Sequence, residues 1–314
     1  MRTIVFNQSN IVQNGFNNTL IYNFPNSVDL TGAYIAVSNI YMYYSWDNIN
    51  TNYGNNVFSY NWIVGGVPTT FNVVIPNGLY EIAQINNFLQ FTFIANGHYL
   101  VDSAGQNVYY AEMIINPTRY AVQTNTYAVP TALPVGWTNP AGLVFPAATF
   151  NPIITYPAKF NEIVGYTAGF ATAQNTGVGT TLSYLSSIAP QVQPNSNLLV
   201  SVSGIDNKYS VPSSIIYSVA PSVNFGALII EKPAQFNFNK VLSGMYNQLR
   251  LQLLSNTGQQ IYIRDPNMTI IMLIRDVDDI INDSGAAAGT RQKLELGSNI
   301  MSLNAPSMGK SGRF

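Results

Sequence analysis

Short runs of alternating apolar and polar residues, separated by turns rich in Asn, Gly and Pro, fill most of this chain. The clearest lies near the C-terminal end. From Tyr246 to Leu254, Leu249, Leu251 and Leu253 alternate with Gln248, Arg250 and Gln252, the pattern of a strand with one face in a core. Ser255-Asn256-Thr257-Gly258 turns the chain into a second run over 260–264, with Ile261 and Ile263 facing inward. Asp265-Pro266-Asn267 turns it again into a strand over 268–275 that is apolar on both sides in its middle. Turn signals at this spacing predict an antiparallel meander in a sandwich or barrel. Upstream, 33–46 reads as one long strand, and 57–64 and 67–75 read as a hairpin closed by Gly65-Gly66. Strands are also expected over 107–115 and 120–127.

Helical spacing occurs twice. Leu79, Ile82, Ile85, Phe88 and Leu89 form one stripe and predict a helix over 79–91, capped by Asn77 or Gly78, with Glu81 suited to its N-terminal dipole. A shorter helix is expected over 158–164, entered through Pro157 and stopped by Gly165. The Pro-rich connection over 128–156 carries no charge. No internal repeat is evident.

Composition narrows the chemistry. The 314 residues include no cysteine and a single histidine, His98, which excludes disulfides, cysteine nucleophiles and sites built on two imidazoles. Only 9% of residues are charged against 47% hydrophobic, and the net charge is −1, so no global field attracts nucleic acid or acidic lipid. The charge-free stretches 120–158 and 163–205 are broken by Pro, Gly and Asn, which rules out a lipid-facing helix. The N-terminus lacks a signal-peptide core, so the chain is expected to be soluble and intracellular when made.

Catalytic motifs are absent. His98, in Asn96-Gly97-His98-Tyr99, reads as a surface or turn imidazole, and its replacement by Gln is expected to be nearly silent. Asp276, Asp278 and Asp279 lack the Gly and distal Glu of an EF-hand loop. Gly177-Val178-Gly179 and the 285–289 stretch lack the Lys-Ser/Thr of a phosphate loop. Glu81, Glu112 and Glu162 show no spacing that marks a glycosidase pair. No enzyme, cofactor or metal is expected. The aromatics Tyr41, Tyr43, Tyr44, Trp46, Tyr53, Phe58, Tyr60 and Trp62 crowd one region and suit a core or protein interface better than a sugar-stacking platform.

Several segments, taken in order, resemble the penton (minor capsid) proteins of virophages and Polinton-like viruses. They are Tyr44-Ser45-Trp46-Asp47-Asn48-Ile49, Asn55-Asn56-Val57-Phe58-Ser59-Tyr60 and Ile75-Pro76-Asn77-Gly78-Leu79-Tyr80-Glu81-Ile82, followed by Asn116-Pro117-Thr118-Arg119-Tyr120-Ala121-Val122-Gln123, Asn207-Lys208-Tyr209-Ser210, Gly244-Met245-Tyr246-Asn247 and Arg264-Asp265-Pro266. The resemblance runs from about residue 35 to 274. It implies an all-β chain with a single jelly roll, two short helices and an elaborated insertion, assembled as a homopentamer at the five-fold vertices of an icosahedral capsid. It also implies double-jelly-roll major capsid proteins as neighbours, a virion location, assembly inside the host cell and no membrane span. The length agrees, because 314 residues with this loop content cannot supply sixteen strands. A receptor- or carbohydrate-binding β-barrel, such as a viral spike head, is the alternative; a hydrolase would need His98 or a carboxylate.

The expected division is an N-terminal arm over 1–15, a capsomer domain over 16–279 with an inserted outer subdomain within about 66–194, and a tail over 280–314. Arg2 and Phe6 in the arm, and Arg291, Lys293, Lys310 and Arg313 in the tail, are the candidate capsid tethers. The tail bases suit acidic neighbours, internal virion proteins or packaged DNA. Removing either end is expected to leave thermal unfolding nearly unchanged.

Overall fold

The computed structural model describes residues 1–177, 179–192 and 196–276. The chain begins with β1 (Arg2–Phe6), β2 (Thr19–Asp29) and β3 (Tyr34–Tyr43). Then follow β4 (Val57–Val64), β5 (Val67–Val74), α1 (Ile82–Ala95), β6 (Tyr99–Val101), β7 (Asn107–Tyr109), β8 (Ala111–Asn116), β9 (Ala121–Thr126), β10 (Ile153–Thr155), α2 (Phe160–Val164) and β11 (Leu182–Leu185). It closes with β12 (Leu198–Val202), β13 (Ile215–Val219), β14 (Leu228–Glu231), β15 (Asn239–Lys240), β16 (Met245–Leu254) and β17 (Thr269–Arg275). The protein is all-β, with antiparallel sheets and two short helices among the described residues. The seventeen strands among them exceed the sixteen that the length was expected not to supply, because several are only two to four residues long, and eight of the seventeen, β4 to β11, belong to a separate unit.

Two compact units share the chain. Among the described residues, the first takes 1–44, 197–261 and 265–276; the second takes 45–196 and 262–264. In the first unit, one sheet has the order β1-β17-β3-β14, with β15 also paired to β3, and the other has the order β13-β12-β16-β2. The antiparallel pairs β1/β17, β2/β16, β3/β14 and β12/β13 join the first strand to the last, the second to the next-to-last, and so inward. Such a nested hairpin becomes a jelly roll when it is rolled so that β17 meets β3 and β16 meets β12, and both of those pairings are present. Among the described residues no strand pairing joins the two sheets, so the unit is an open sandwich and not a closed barrel.

Alternation decides which side chains go inside. Leu249, Leu251 and Leu253 on β16 are buried, as are Ile270, Met272 and Ile274 on β17. The strands themselves do not form the expected meander. β16 and β17 lie in different sheets, and residues 260–264 are not a strand, although Ile261 and Ile263 are buried. A chain that must cross between sheets cannot close a tight hairpin, so the connection over 255–268 is long and makes only isolated bridges.

Residues 1–15, read from the sequence as an arm, contain β1, which pairs along its whole length with β17 from Arg2↔Ile274 to Phe6↔Ile270. Ile4 and Phe6 are buried on its inner side, and the Phe6 ring meets Tyr22 edge-on at 6.0 Å.

In the second unit, β4 and β5 form the expected hairpin. Both tip glycines have positive φ, 59° at Gly65 and 85° at Gly66, as a two-residue turn of this hand requires. α1 buries Ile82, Ile85, Leu89 and Phe93, but it starts three residues later than the stripe suggests. Residues 78–80 are already committed. Gly78 exchanges backbone bonds with Ile49, and the Asn48 amide both accepts from the Tyr80 N–H and donates to the Tyr80 carbonyl. The helix is therefore capped at Glu81, whose N–H donates to Gln84 Oε1 at 2.9 Å. Gly165 ends α2 at φ 75°, where any Cβ would collide with the carbonyl oxygen of Ile188.

Candidate interface and tether residues

Three segments of the resemblance meet around one buried carboxylate. Asp47 is fully enclosed within the second unit. Arg264 Nε donates to its Oδ1 at 2.6 Å, and a terminal nitrogen of the same guanidinium reaches Oδ2 at 3.3 Å and the carbonyl of Asn77. Asn50 Nδ2 donates to Oδ2 at 2.9 Å. Around this core, Asn55 accepts from the Asn50 N–H and donates to the Asn48 carbonyl, while Tyr53 Oη accepts from the Tyr262 N–H at 2.7 Å. Burial pushes the Tyr53 phenol up to about 12, and the hydrogen bond to Asp47 raises the Arg264 guanidinium above its usual range. The arrangement satisfies a charge that would otherwise be costly to bury. It ties 262–264 to 45–55 and 77 through side chains, beside a single isolated bridge between Trp46 and Ile263 and the Arg264 N–H donating to the Ser45 carbonyl at 3.1 Å. The sequence displays these residues as separate motifs, with no sign that Asp47 and Arg264 are partners.

His98 does not sit at the surface. It is 6% exposed, shares a 2.9 Å hydrogen bond between Nδ1 and Tyr60 Oη, and lies flat on Trp62 at 4.3 Å between centroids. Phe71 meets it edge-on at 4.7 Å. The turn 96–97 brings the ring back against the β4–β5 hairpin, whose aromatics lie more than twenty residues away in sequence. Burial lowers the imidazole to about 4. The folded protein therefore holds a neutral ring where an unfolded chain binds a proton below about pH 6.5. The unfolded state carries more protons between those two values, so this contribution is complete above pH 6.5 and declines as the pH falls towards 4. The loss approaches ~3 kcal/mol, because each pH unit between the two values is worth about 1.4 kcal/mol. Urea titrations from pH 8 to pH 4 should show this decline in the parent and a shallower one in His98→Gln. That variant should also be weaker by about 1–2 kcal/mol at pH 8, from the lost stack and hydrogen bond. Identical pH profiles for the two proteins would sink the assignment.

The aromatic run divides between the units. Tyr44 is buried in the first, and Trp46, Phe58, Tyr60 and Trp62 are buried in the second. These rings pack a core and present no stacking platform to a sugar, whereas Tyr43 is exposed on β3. The three glutamates also have local tasks. Glu81 caps α1, Glu112 accepts from Asn125 Nδ2 and Tyr127 Oη, and Glu162 lies in the first turn of α2. Tyr127 is pushed up to about 12 by burial and by its carboxylate partner. Among the described residues no three His, Asp or Glu side chains are grouped to hold a metal, and no helix is long and apolar enough to cross a membrane.

Of the candidate tethers, Phe6 is buried in the chain's own core. Arg2 donates to Asp276 at 2.8 Å in a solvent-exposed ion pair, a contact of little energetic weight. Arg291, Lys293, Lys310 and Arg313 lie outside the described residues, as do Asp278, Asp279 and Val178.

No family model matches the sequence, and no curated protein matches it. Among solved structures, the chain is similar to the crystal structure of the selenomethionine-labelled mavirus penton protein, with 8% identity and a TM-score of 0.41 over 88% of this chain and 98% of that one.

Proposed function

We propose that this chain is a structural minor capsid subunit that forms homopentameric pentons at the five-fold vertices of an icosahedral capsid. The observation that carries the reading is the strand order of the first unit, eight strands in jelly-roll order over two sheets, with the two-residue β15 added beside β3. The second unit enters between its third and fourth long strands, which suits a subunit that keeps one assembly module and elaborates one loop end. The ordered resemblance across 35–274 supports the same role, and three of its segments build the Asp47 site. A charge-poor subunit also limits like-charge repulsion when copies crowd around an axis. In this reading the neighbours are double-jelly-roll major capsid proteins, and the chain resides in the virion after assembly inside the host cell. The four bases of 280–314 are proposed to hold the capsomer to acidic neighbours, internal proteins or packaged DNA, through contacts that weaken with salt.

Native mass spectrometry and negative-stain class averages test this directly. Five-fold rings are expected at raised concentration or with the major capsid protein. A strict monomer or a trimer under capsid-forming conditions overturns it.

A further inference from the structure

A sheet with one face in a core normally shows polar side chains on the other. The β13-β12-β16-β2 sheet obeys this, with Gln248, Arg250 and Asn23 directed outward and exposed. The β1-β17-β3-β14 sheet does not. Its register places outward side chains in three rows: Val5 beside Ile271, Tyr41 beside Ile230, and Tyr43 beside Leu228. Val5 is 41% exposed, Ile230 56%, Leu228 40% and Tyr43 39%. No charged side chain stands among these rows. The one amide in them, Asn39, donates to Tyr41 Oη at 3.2 Å. Of the charges near the two edges, Arg2 is held by Asp276 and Glu231 by Tyr217 Oη at 2.6 Å, while Lys232, just past β14, and Lys240, on the short strand β15, are exposed at the rim of these rows. Edge strands are usually guarded by free charges or proline; β1 carries only the paired Arg2, and on β14 the guards Lys232 and Pro233 come only after the strand has ended.

We propose that the outer face of the β1-β17-β3-β14 sheet, centred on Tyr41, Ile230 and Leu228, is the surface on which a second copy of this chain packs. Charge decides the occupant. An average protein is about 25% charged, and its surface would press unpaired charges against a face that offers them no partner. This chain is only 9% charged, and Arg2 is its only Lys or Arg before Arg119. A copy of itself is thus the partner whose surface matches. Area sets the strength. Four strands about 4.8 Å apart and five residues deep cover about 320 Å², well below the roughly 800 Å² per partner of a stable pair. The face must therefore be one part of a larger contact, so association depends on concentration and on ring closure. The inference rests on the penton reading and adds to it the seam between neighbours.

The test compares the full-length parent with Ile230→Lys, Leu228→Lys and a control, Val67→Lys, at an exposed position on β5 of the second unit. Sedimentation velocity across a concentration series should show the parent and control assembling alike. The two face variants should need more than about tenfold higher concentration, because each would bury an unpaired charge. Their melting temperatures should stay close to the parent's. Since the chain has no native cysteine, Ile230→Cys provides a single thiol that should react with maleimide in the monomer and be protected in the ring, even if a lysine variant fails to fold. If folded lysine variants assemble at the parental concentration, or the thiol stays reactive in rings, the face assignment fails while the penton reading stands. Protection that appears only when the major capsid protein is added assigns the face to that partner and overturns the proposal. A parent that stays monomeric under every condition removes both.

Discussion

Deleting residues 1–15 should cost the first unit most of its stability. β1 supplies the partner of β17, and its inner side chains Ile4 and Phe6 are buried, with Ile11 nearly so. Truncating a buried Phe to Ala typically costs about 3–5 kcal/mol and a buried Ile about 2–5, against a total stability of about 5–15 for a domain. Phe6→Ala alone should lower the melting temperature by roughly 10 °C, and the deletion by more, read by scanning calorimetry or near-UV circular dichroism. Val5→Thr, which changes only an outward position on the same strand, should stay within a few degrees of the parent. A deletion that melts within about 2–3 °C of the parent, on the order of 1 kcal/mol, would show that β1 does not contribute to the sandwich. If the truncated chain fails to enter capsids, the failure therefore reports a damaged fold before it reports a lost tether.

The second large effect concerns the Asp47–Arg264 pair, and it should be asymmetric. Asp47 is fully buried, whereas the Arg264 side chain is 43% exposed. Removing the carboxylate in Asp47→Asn lets the guanidinium rotate into water. Arg264→Met leaves a buried carboxylate with only the Asn50 amide to hold it. Breaking a buried pair by removing one member costs about 3–5 kcal/mol, and the uncompensated charge accounts for most of that. Arg264→Met should fall in this range, with Asp47→Asn below it and the double variant less damaged than the sum of the two. Arg264→Lys should rescue only part of the loss, because a point charge cannot serve both carboxylate oxygens and the Asn77 carbonyl. Equal and additive losses in a double-mutant cycle would mean that the pair acts through packing and not charge.

The residues show why the sequence reveals some elements and hides others. Local grammar is sufficient for the Gly65-Gly66 hairpin, the stop at Gly165 and the inward leucines of β16, because each is set by neighbours a few positions away. Alternation says which face of a strand is buried but not which strand lies beside it, so β16 and β17 look like neighbours and are not. The same limit applies to β1. Its Ile4 and Phe6 alternate correctly for a half-buried strand, yet the partner lies some 270 residues away. His98 reads as a surface residue because its surroundings, Tyr60 and Trp62, arrive from another element. The stripe behind α1 identifies the buried side but misplaces the start, since the first turn is taken by Asn48. Of the site, the individual segments carrying Asp47, Asn77 and Arg264 are visible in the sequence, and their convergence is not. Neither is the apolar outer sheet face, which exists only once three rows from four strands are set side by side.

The pairing of the first strand with the last also fixes when the sandwich can close during synthesis. On the ribosome, Ile4 and Phe6 emerge at once, but the residues opposite them are made only as β17 is completed. At roughly 5–20 residues per second that delay is on the order of 15–50 s. Residues 45–196, by contrast, form most of a unit whose contacts are complete long before then, lacking only the three residues around Arg264. The nascent chain thus carries a nearly finished module beside an uncovered apolar end, the state in which chaperone engagement matters most. For this polypeptide, expression speed and temperature are structural variables as much as practical ones.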